Sequence, residues 1–226
     1  VTLRLADATE RDDLGAFTAR VVRLDQAAAI RLTTAGDRVT AWARTPFDVL
    51  VTRSVAGTLD GGVPVTAHAS SLLTALAVER AEEIDPGTPA AWMEELPPAE
   101  GWALVDDIPA GELDGLAERG LALAREHAGP MGPPASLLDQ TVLTVSPPEP
   151  GRPVTVPMRV LFAMSGMGFL GSGPADAGGA VPGPGGTGAG EPRVRVSASG
   201  SWVRLDARYG AVVKRRVVSL PLTVTG

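Results

Sequence analysis

No cysteine and no asparagine occur in this chain, lysine appears once (Lys214, against 19 arginines), and histidine twice, as His68 and His127. Without cysteine there is no disulfide framework, no thiolate metal site and no cysteine nucleophile. Aromatic residues make up only 4% of the sequence, so a core has to be assembled from Val, Leu and Ala. The preference for Arg over Lys, with only three Ile, matches a GC-rich bacterial genome; arginine abundance alone therefore says little about binding. Long hydrophobic runs are missing too. The longest, Val160–Leu170, is interrupted by Ser165, Gly166 and Gly168 and falls far short of the ~20 residues a membrane span requires. The opening stretch VTLRLADATERDD has neither the basic nor the apolar region of a secretory signal. The expectation is a cytoplasmic protein without membrane association.

What is present is ordinary for a folded chain: 226 residues, 44% apolar and 20% charged. That length fits one large domain or two small ones, and the element pattern favours two. In residues 1–85, VTLRL alternates as a half-buried strand. Thr9 is placed to cap a helix with Asp12 reaching back, and Leu14, Phe17, Val21 and Leu24 recur on one helical face. AAAIRL and RVTAWAR flank a hairpin turn at Gly36, FDVLVTRSV reads as a further strand, and SSLLTALAVERAEEI as a second amphipathic helix. Residues 86–100, with Pro86, Pro89, Pro97 and Pro98, form a proline-rich linker in which helical periodicity stops.

Residues 101–226 form the second unit. There Asp106 or Asp107 caps a helix near 109–127 with Pro109 in its first turn. A short helix near 134–140 and the strand TVLTV follow, and Thr155 caps a helix opened by Pro157. RVRVSASGSWVRLDARYGAVVKRRVVSLPLTV supplies two or three strands. Nine Gly and four Pro among residues 171–192 predict a flexible loop. No internal repeat is visible, and the two units differ in element order. The fold class expected is α+β: two small domains, each mixing a few helices with antiparallel strands.

Gly166, Gly168 and Gly171 take the spacing G-x-G-x-x-G directly after an apolar run. A dinucleotide fingerprint needs a helix after the glycine turn, whose free amides face the pyrophosphate. Here SGPADAGGAVPGPGG follows, and its prolines and glycines break any helix; no G-K-[ST] follows either. The reading is structural: Gly166 and Gly168 allow close helix packing or fraying, and Gly171 stops the helix as its C′ residue. No cofactor is expected.

Neither histidine sits in a catalytic or metal motif. His127 lies near a helix end, where a cation suits the dipole, and His68 precedes a helix. There is no G-x-S-x-G elbow, and no H-x₃-H, H-E-x-x-H or carboxylate-loop spacing. The adjacent pairs Asp12–Asp13, Glu82–Glu83, Glu94–Glu95 and Asp106–Asp107 do not share a helix face and read as helix caps and solvated faces. Met158, Met164 and Met167 read as core filling. No catalytic or metal-binding residue is assigned.

Charge is unevenly distributed. Residues 1–191 sum to −12 and residues 192–226 to +6, a split that marks either a nucleic-acid contact or an electrostatic match between two parts of the chain. Trp202, Arg204, Asp206 and Arg208 fall on one strand face, and Val203, Leu205, Ala207 and Tyr209 on the other. With Arg193, Arg195, Lys214, Arg215 and Arg216, that first face is the candidate contact for nucleic acid or a protein partner. Three helices followed by a basic hairpin also fit a winged-helix arrangement for the C-terminal unit. Against it, the would-be reading helix VPMRVLFAMSGMGF has one charge, Arg159, and no Asn or Gln for base edges.

VPMRVLFAMSGMGFLG, the Gly/Pro spacer and GSWVRLDARYGAVVKR together resemble a family of actinobacterial proteins with an N-terminal and a C-terminal domain of unknown function in tandem. The resemblance implies a two-domain layout and brings no catalytic residues to carry over. The leading expectation is a non-catalytic module that binds a protein partner or itself. The alternatives are a nucleic-acid-associated regulator and an enzyme of another class, built on His68 or His127 with a carboxylate and a hydroxyl.

Overall fold

The computed structural model describes residues 1–78, 83–127, 133–146, 153–171 and 191–216. In the first half, β1 (Leu3–Leu5) leads into α1 (Ala8–Leu24). A meander of β2 (Ala29–Ala35), β3 (Arg38–Arg44) and β4 (Leu50–Leu59) follows, then β5 (Val65–His68) and α2 (Ala69–Val78). The second half runs β6 (Ala103–Pro109), α3 (Ala110–Glu126), a single turn α4 (Ala135–Leu138), β7 (Thr141–Val145), β8 (Val154–Pro157) and α5 (Met158–Gly166). It closes with the meander β9 (Arg193–Ser199), β10 (Trp202–Ala207) and β11 (Gly210–Arg215). Among the described residues no helix is long and apolar enough to cross a membrane.

The two meanders join into one sheet. Its strand order is β5-β2-β3-β4-β11-β10-β9-β6, with β1 paired to β4. The seam is antiparallel, through Ala211–Thr52, Val212–Val51 and Val213–Leu50. Either side of it lies a three-strand meander, and each end of the sheet is a strand that runs straight into a helix (β5 into α2, β6 into α3). The halves therefore match in space although their elements follow a different order along the chain.

Alternation decides which face is covered. Ile30, Leu32, Ala41, Ala43, Val51, Val203, Leu205 and Val212 are fully buried on one face, joined in one core with Leu14, Phe17 and Val21 of α1 and six residues of α5. α3 and α5 approach closely at Gly120, where a Cβ would sit 2.4 Å from Met158 Sδ and 3.0 Å from Phe162 Cε1. Phe162 meets Phe47 edge-on at 5.8 Å.

Several local expectations are corrected. Asp7, not Thr9, caps α1 by accepting the Glu10 N–H at 3.0 Å. Residues 103–109 form an edge strand, so Asp106 and Asp107 are no caps, and Pro109 is the last strand residue before α3. Thr155 likewise lies in a strand, and α5 starts only at Met158. Gly168, not Gly171, stops α5: its φ is +64°, its N–H donates to Ser165 O, and the Phe169 N–H donates to Met164 O. That pair of bonds is a Schellman closure with glycine in the left-handed position. Gly166 packs on Leu24, whose Cδ2 lies 3.0 Å from where a Cβ would stand.

The winged-helix arrangement is also overturned. β10 and β11 do not project as a wing; they lie in the middle of the sheet. Six of the nine α5 residues are buried, so this helix is core and reads nothing. The loop expected at 171–192 lies outside the described residues over 172–190. So do the end of the second predicted helix (79–82) and the last strand residues beyond 216.

Candidate functional site

β5 and β6 lie at opposite edges of the sheet, so the chain between them has to cross it. Seven steps of ~4.8 Å between neighbouring strands make roughly 34 Å. The twelve residues from Ala91 to Trp102 reach at most about 43 Å when fully extended. The crossing segment therefore runs extended with about 9 Å to spare, and proline suits such a path. It starts as an addition to the β5 edge: the His68 N–H donates to Thr88 O at 2.9 Å and the Ala90 N–H to Thr66 O at 3.1 Å. Residues 91–102 then run as a strap without helix or ladder over the face opposite the helices.

Under the strap lies a second, smaller core. Trp42, Leu50, Trp202 and Val213 are buried on that outer face, and Trp92, Leu96 and Trp102 of the strap pack on them. Strand register explains the grouping, because Leu50 pairs with Val213 and Trp202 with Arg215, and register partners share a face. All four tryptophans of the chain meet here. The two strap indoles satisfy their own N–H groups locally, Trp92 on Glu94 O at 2.7 Å and Trp102 on Pro98 O at 2.9 Å.

Charged side chains close the rim. Arg44 Nε lies 3.3 Å from Glu94, and Arg215 pairs with Glu95 while its guanidinium stands 5.9 Å over the Trp202 ring. Between strap and sheet a cavity of ≈ 260 Å³ remains, floored by Val49, Leu50, Trp202 and Val213 and rimmed by Arg44, Asp48, Glu94, Glu95, Lys214 and Arg215. Asp48 anchors this rim from a left-handed conformation (φ 59°), which a short polar side chain tolerates best. It pairs with Arg44 at 2.8 Å, Lys214 at 3.3 Å and Arg159 at 3.4 Å. Burial pushes the Asp48 carboxyl upward, but the Arg44 hydrogen bond and the Lys214 charge outweigh it and hold the group below the ordinary carboxylate value. The Asp48 hydrogen bond in turn raises Arg44, against desolvation.

The eight sequence-derived contact residues divide. Trp202, Lys214 and Arg215 come together at the cavity. Arg204 pairs with Asp206 at 2.7 Å and lies 6.0 Å over the Trp102 ring. Arg195 pairs with Asp107 at 3.2 Å, and Arg193 donates to the Asp107 carbonyl. Arg208 stands 5.4 Å over Tyr209, and Arg216 donates to Gly200 O. Three of these bonds, Arg195–Asp107, Lys214–Asp48 and Arg215–Glu95, link the basic C-terminal strands to carboxylates earlier in the chain.

Sequence reasoning did not single out Trp42, Leu50, Trp92, Leu96 or Val213. Their one visible signal is that Trp92, Leu96 and Trp102 are large apolar side chains inside a proline-rich stretch. Glu94 and Glu95, read as part of a solvated face, each take an arginine of the sheet instead. Both histidines are exposed. His127 Nδ1 lies 3.0 Å from Leu123 O, and His68 ends β5. Among the described residues no three His, Asp or Glu side chains group as metal ligands.

A family model described as a domain of unknown function (DUF8185) matches residues 97–219, and a second so described (DUF8010) matches residues 1–95. Two tandem domains of unknown function thus cover most of the chain. No curated protein matches the sequence. Among solved structures, the chain resembles Caulobacter crescentus pol III β with a TM-score of 0.56 and 16% identity, over 97% of this chain and 67% of that one. It resembles the DNA polymerase sliding clamp of Bacillus subtilis with a TM-score of 0.56 and 11% identity, over 99% and 66%. For the DNA polymerase III β subunit of Thermotoga maritima the values are 0.55 and 12%, over 98% and 66%. The chain spans about two thirds of the length of these proteins. At such identities the likeness is one of fold, an antiparallel α+β arrangement of sliding-clamp type, and it replaces the winged-helix expectation.

Proposed function

We propose that this chain, which belongs to the DUF8185 family of domains of unknown function, is a clamp-like docking scaffold that holds a protein partner at the outer face of its sheet. The observation that carries the reading is the cavity between strap and sheet, with its apolar floor and charged rim. At ≈ 260 Å³ it falls below the roughly 300–1,000 Å³ of small-molecule sites; it suits one anchoring side chain of a linear segment. An aromatic wall beside arginines is also the composition of interface anchors. The sliding-clamp likeness supports a role in holding other macromolecules rather than transforming small ones.

A nucleic-acid role draws on the same likeness but finds less support in the charges. Phosphate binding draws on cations free to neutralise it, and the described basic residues of β9 to β11 are largely committed within the chain. The helical layer carries three arginines against three carboxylates on α1, two against four on α3, and Arg159 alone on α5. Unbiased selection decides. A random linear-peptide library is panned on the immobilised protein, and binders are retested on Arg44→Glu and Arg215→Glu. The reading expects binders that lose at least tenfold on these variants. Binders indifferent to both, or none at all beside a salt-dependent DNA gel shift, would overturn it.

A further inference from the structure

The cover over this groove is a ligand-like segment, and it states the chemistry that the groove accepts. From Ala91 to Leu96 exposure alternates residue by residue: Trp92, Glu94 and Leu96 are half-buried, and Ala91, Met93 and Glu95 are exposed. That is how an extended segment lays one face on a surface. Trp92 and Leu96 seat on the apolar floor, while Glu94 and Glu95 meet Arg44 and Arg215. Along this stretch there is no ladder, so side chains rather than backbone bonds hold it; the ladder-like bonds are confined to Thr88–Ala90 at the β5 edge.

We infer that the outer groove is a receptor for short, extended, acidic segments with a tryptophan or leucine anchor, and that the strap occupies it in cis until a partner's segment displaces it. The inference rests on the docking reading above and adds the partner's chemistry and its regulation. Charge complementarity sets the sign: Arg44 and Arg215 on the sheet pair with Glu94 and Glu95 of the strap. Displacement needs a weak hold, and the two strap ion pairs join side chains that are 54% and 34% exposed (Arg44–Glu94) and 58% and 61% exposed (Arg215–Glu95), a class worth little. It also needs room, which the difference between a reach of about 43 Å and a span of roughly 34 Å provides. Because the strap is tethered, it competes at an effective concentration in the mM range, so the resting protein is closed to weak ligands.

The probe is a fluorescein-labelled synthetic peptide of residues 89–100, PAAWMEELPPAE, followed by anisotropy. Full-length protein carrying Trp92→Ala, Glu94→Gln, Glu95→Gln and Leu96→Ala should bind it at least tenfold more tightly than wild type. Adding Arg44→Glu and Arg215→Glu should remove the binding, and a probe with Glu94 and Glu95 changed to Gln should bind at least fivefold more weakly. A folded strap variant that binds no tighter than wild type, or equal binding of the two probes, overturns the inference while leaving cavity-dependent library peptides intact. If the strap variant does not fold, hydrogen exchange on wild type decides. The Ala90 amide, which is bonded to Thr66 O at the start of the strap, should exchange through local opening at least a hundredfold faster than the amides of the β4–β11 seam; exchange as slow as the seam overturns displacement. A second copy of the chain filling the groove, seen as a dimer with exchanged straps, also counts against a partner segment.

Discussion

Arg215 of the last described strand and Glu95 of the strap pair across the outer face, with the Arg215 guanidinium 5.9 Å above the Trp202 ring. This contact ties the linker to the seam half of the sheet. Both side chains are more than half exposed, so Arg215→Ala should cost at most about 1 kcal/mol. Its larger effect is spectroscopic. Tryptophan emission should shift to the red at low salt, and 1 M NaCl should reproduce part of that shift in the wild type, because exposed pairs are screened.

Trp92→Ala removes a strap anchor. A fully buried Trp→Ala change costs about 3–5 kcal/mol; Trp92 is only partly buried, so about 1–2 kcal/mol is expected in urea melts. Far-UV circular dichroism should stay unchanged, because no helix or ladder depends on it.

Two glycines on α3 should respond with opposite sign. A Cβ at Gly120 would meet Met158 and Phe162, whereas one at Gly115 would meet only the end of Arg119, at 3.5 Å. Gly120→Ala should cost about 1–3 kcal/mol by overpacking. Gly115→Ala should stabilise by roughly 0.5–1 kcal/mol, the helix-propensity difference. Thermal melts of both variants check the contrast.

The Thr52 hydroxyl is buried beside the seam with no hydrogen-bond partner among the described residues. Thr52→Val exchanges that hydroxyl for a methyl group and should raise stability by about 1 kcal/mol. A loss of stability would mean that the hydroxyl is satisfied by solvent.

How much of this was legible in the sequence depends on how local each signal is. Strand alternation at Trp202–Tyr209 placed Val203 and Leu205 in the core and Trp202 and Arg204 on the opposite face, as found, because the two-residue period is a property of a single strand. The hairpin at Gly36 was legible from turn chemistry, because glycine supplies the positive φ (61°) that the turn takes. The joining of β4 to β11 was not, since long-range register leaves no mark on either strand. Asp106 and Asp107 looked like a helix start because Asp favours caps, while the edge position that tolerates their charge is set by long-range strand pairing. The groove itself was hidden. Trp42, Trp92 and Trp202 lie in three separate segments, and only the crossing of the sheet by the linker brings them together.

Asp48 links acid to the same rim. Its carboxyl is held below the ordinary value by Arg44 and Lys214, so the folded state binds its proton less readily than the unfolded chain. The resulting stability is present above the unfolded carboxylate range of about pH 4 and is lost as pH falls through the folded value. Asp48→Asn should abolish this part of the acid dependence and lower stability at pH 7, with little change at pH 2–3. Equal destabilisation at both pH values would assign Asp48 a purely conformational role.

The most direct measurement is acrylamide quenching of the intrinsic tryptophan fluorescence of wild-type protein, titrated with a tryptophan-free strap peptide, PAAFMEELPPAE, beyond the mM effective concentration of the tethered strap. All four tryptophans lie in the groove or on its cover, so they report cover and floor together. If the peptide replaces the strap, Trp92 and Trp102 swing into solvent and the quenching constant rises in step with binding. Saturable binding that leaves quenching unchanged would place the peptide elsewhere and contradict the account.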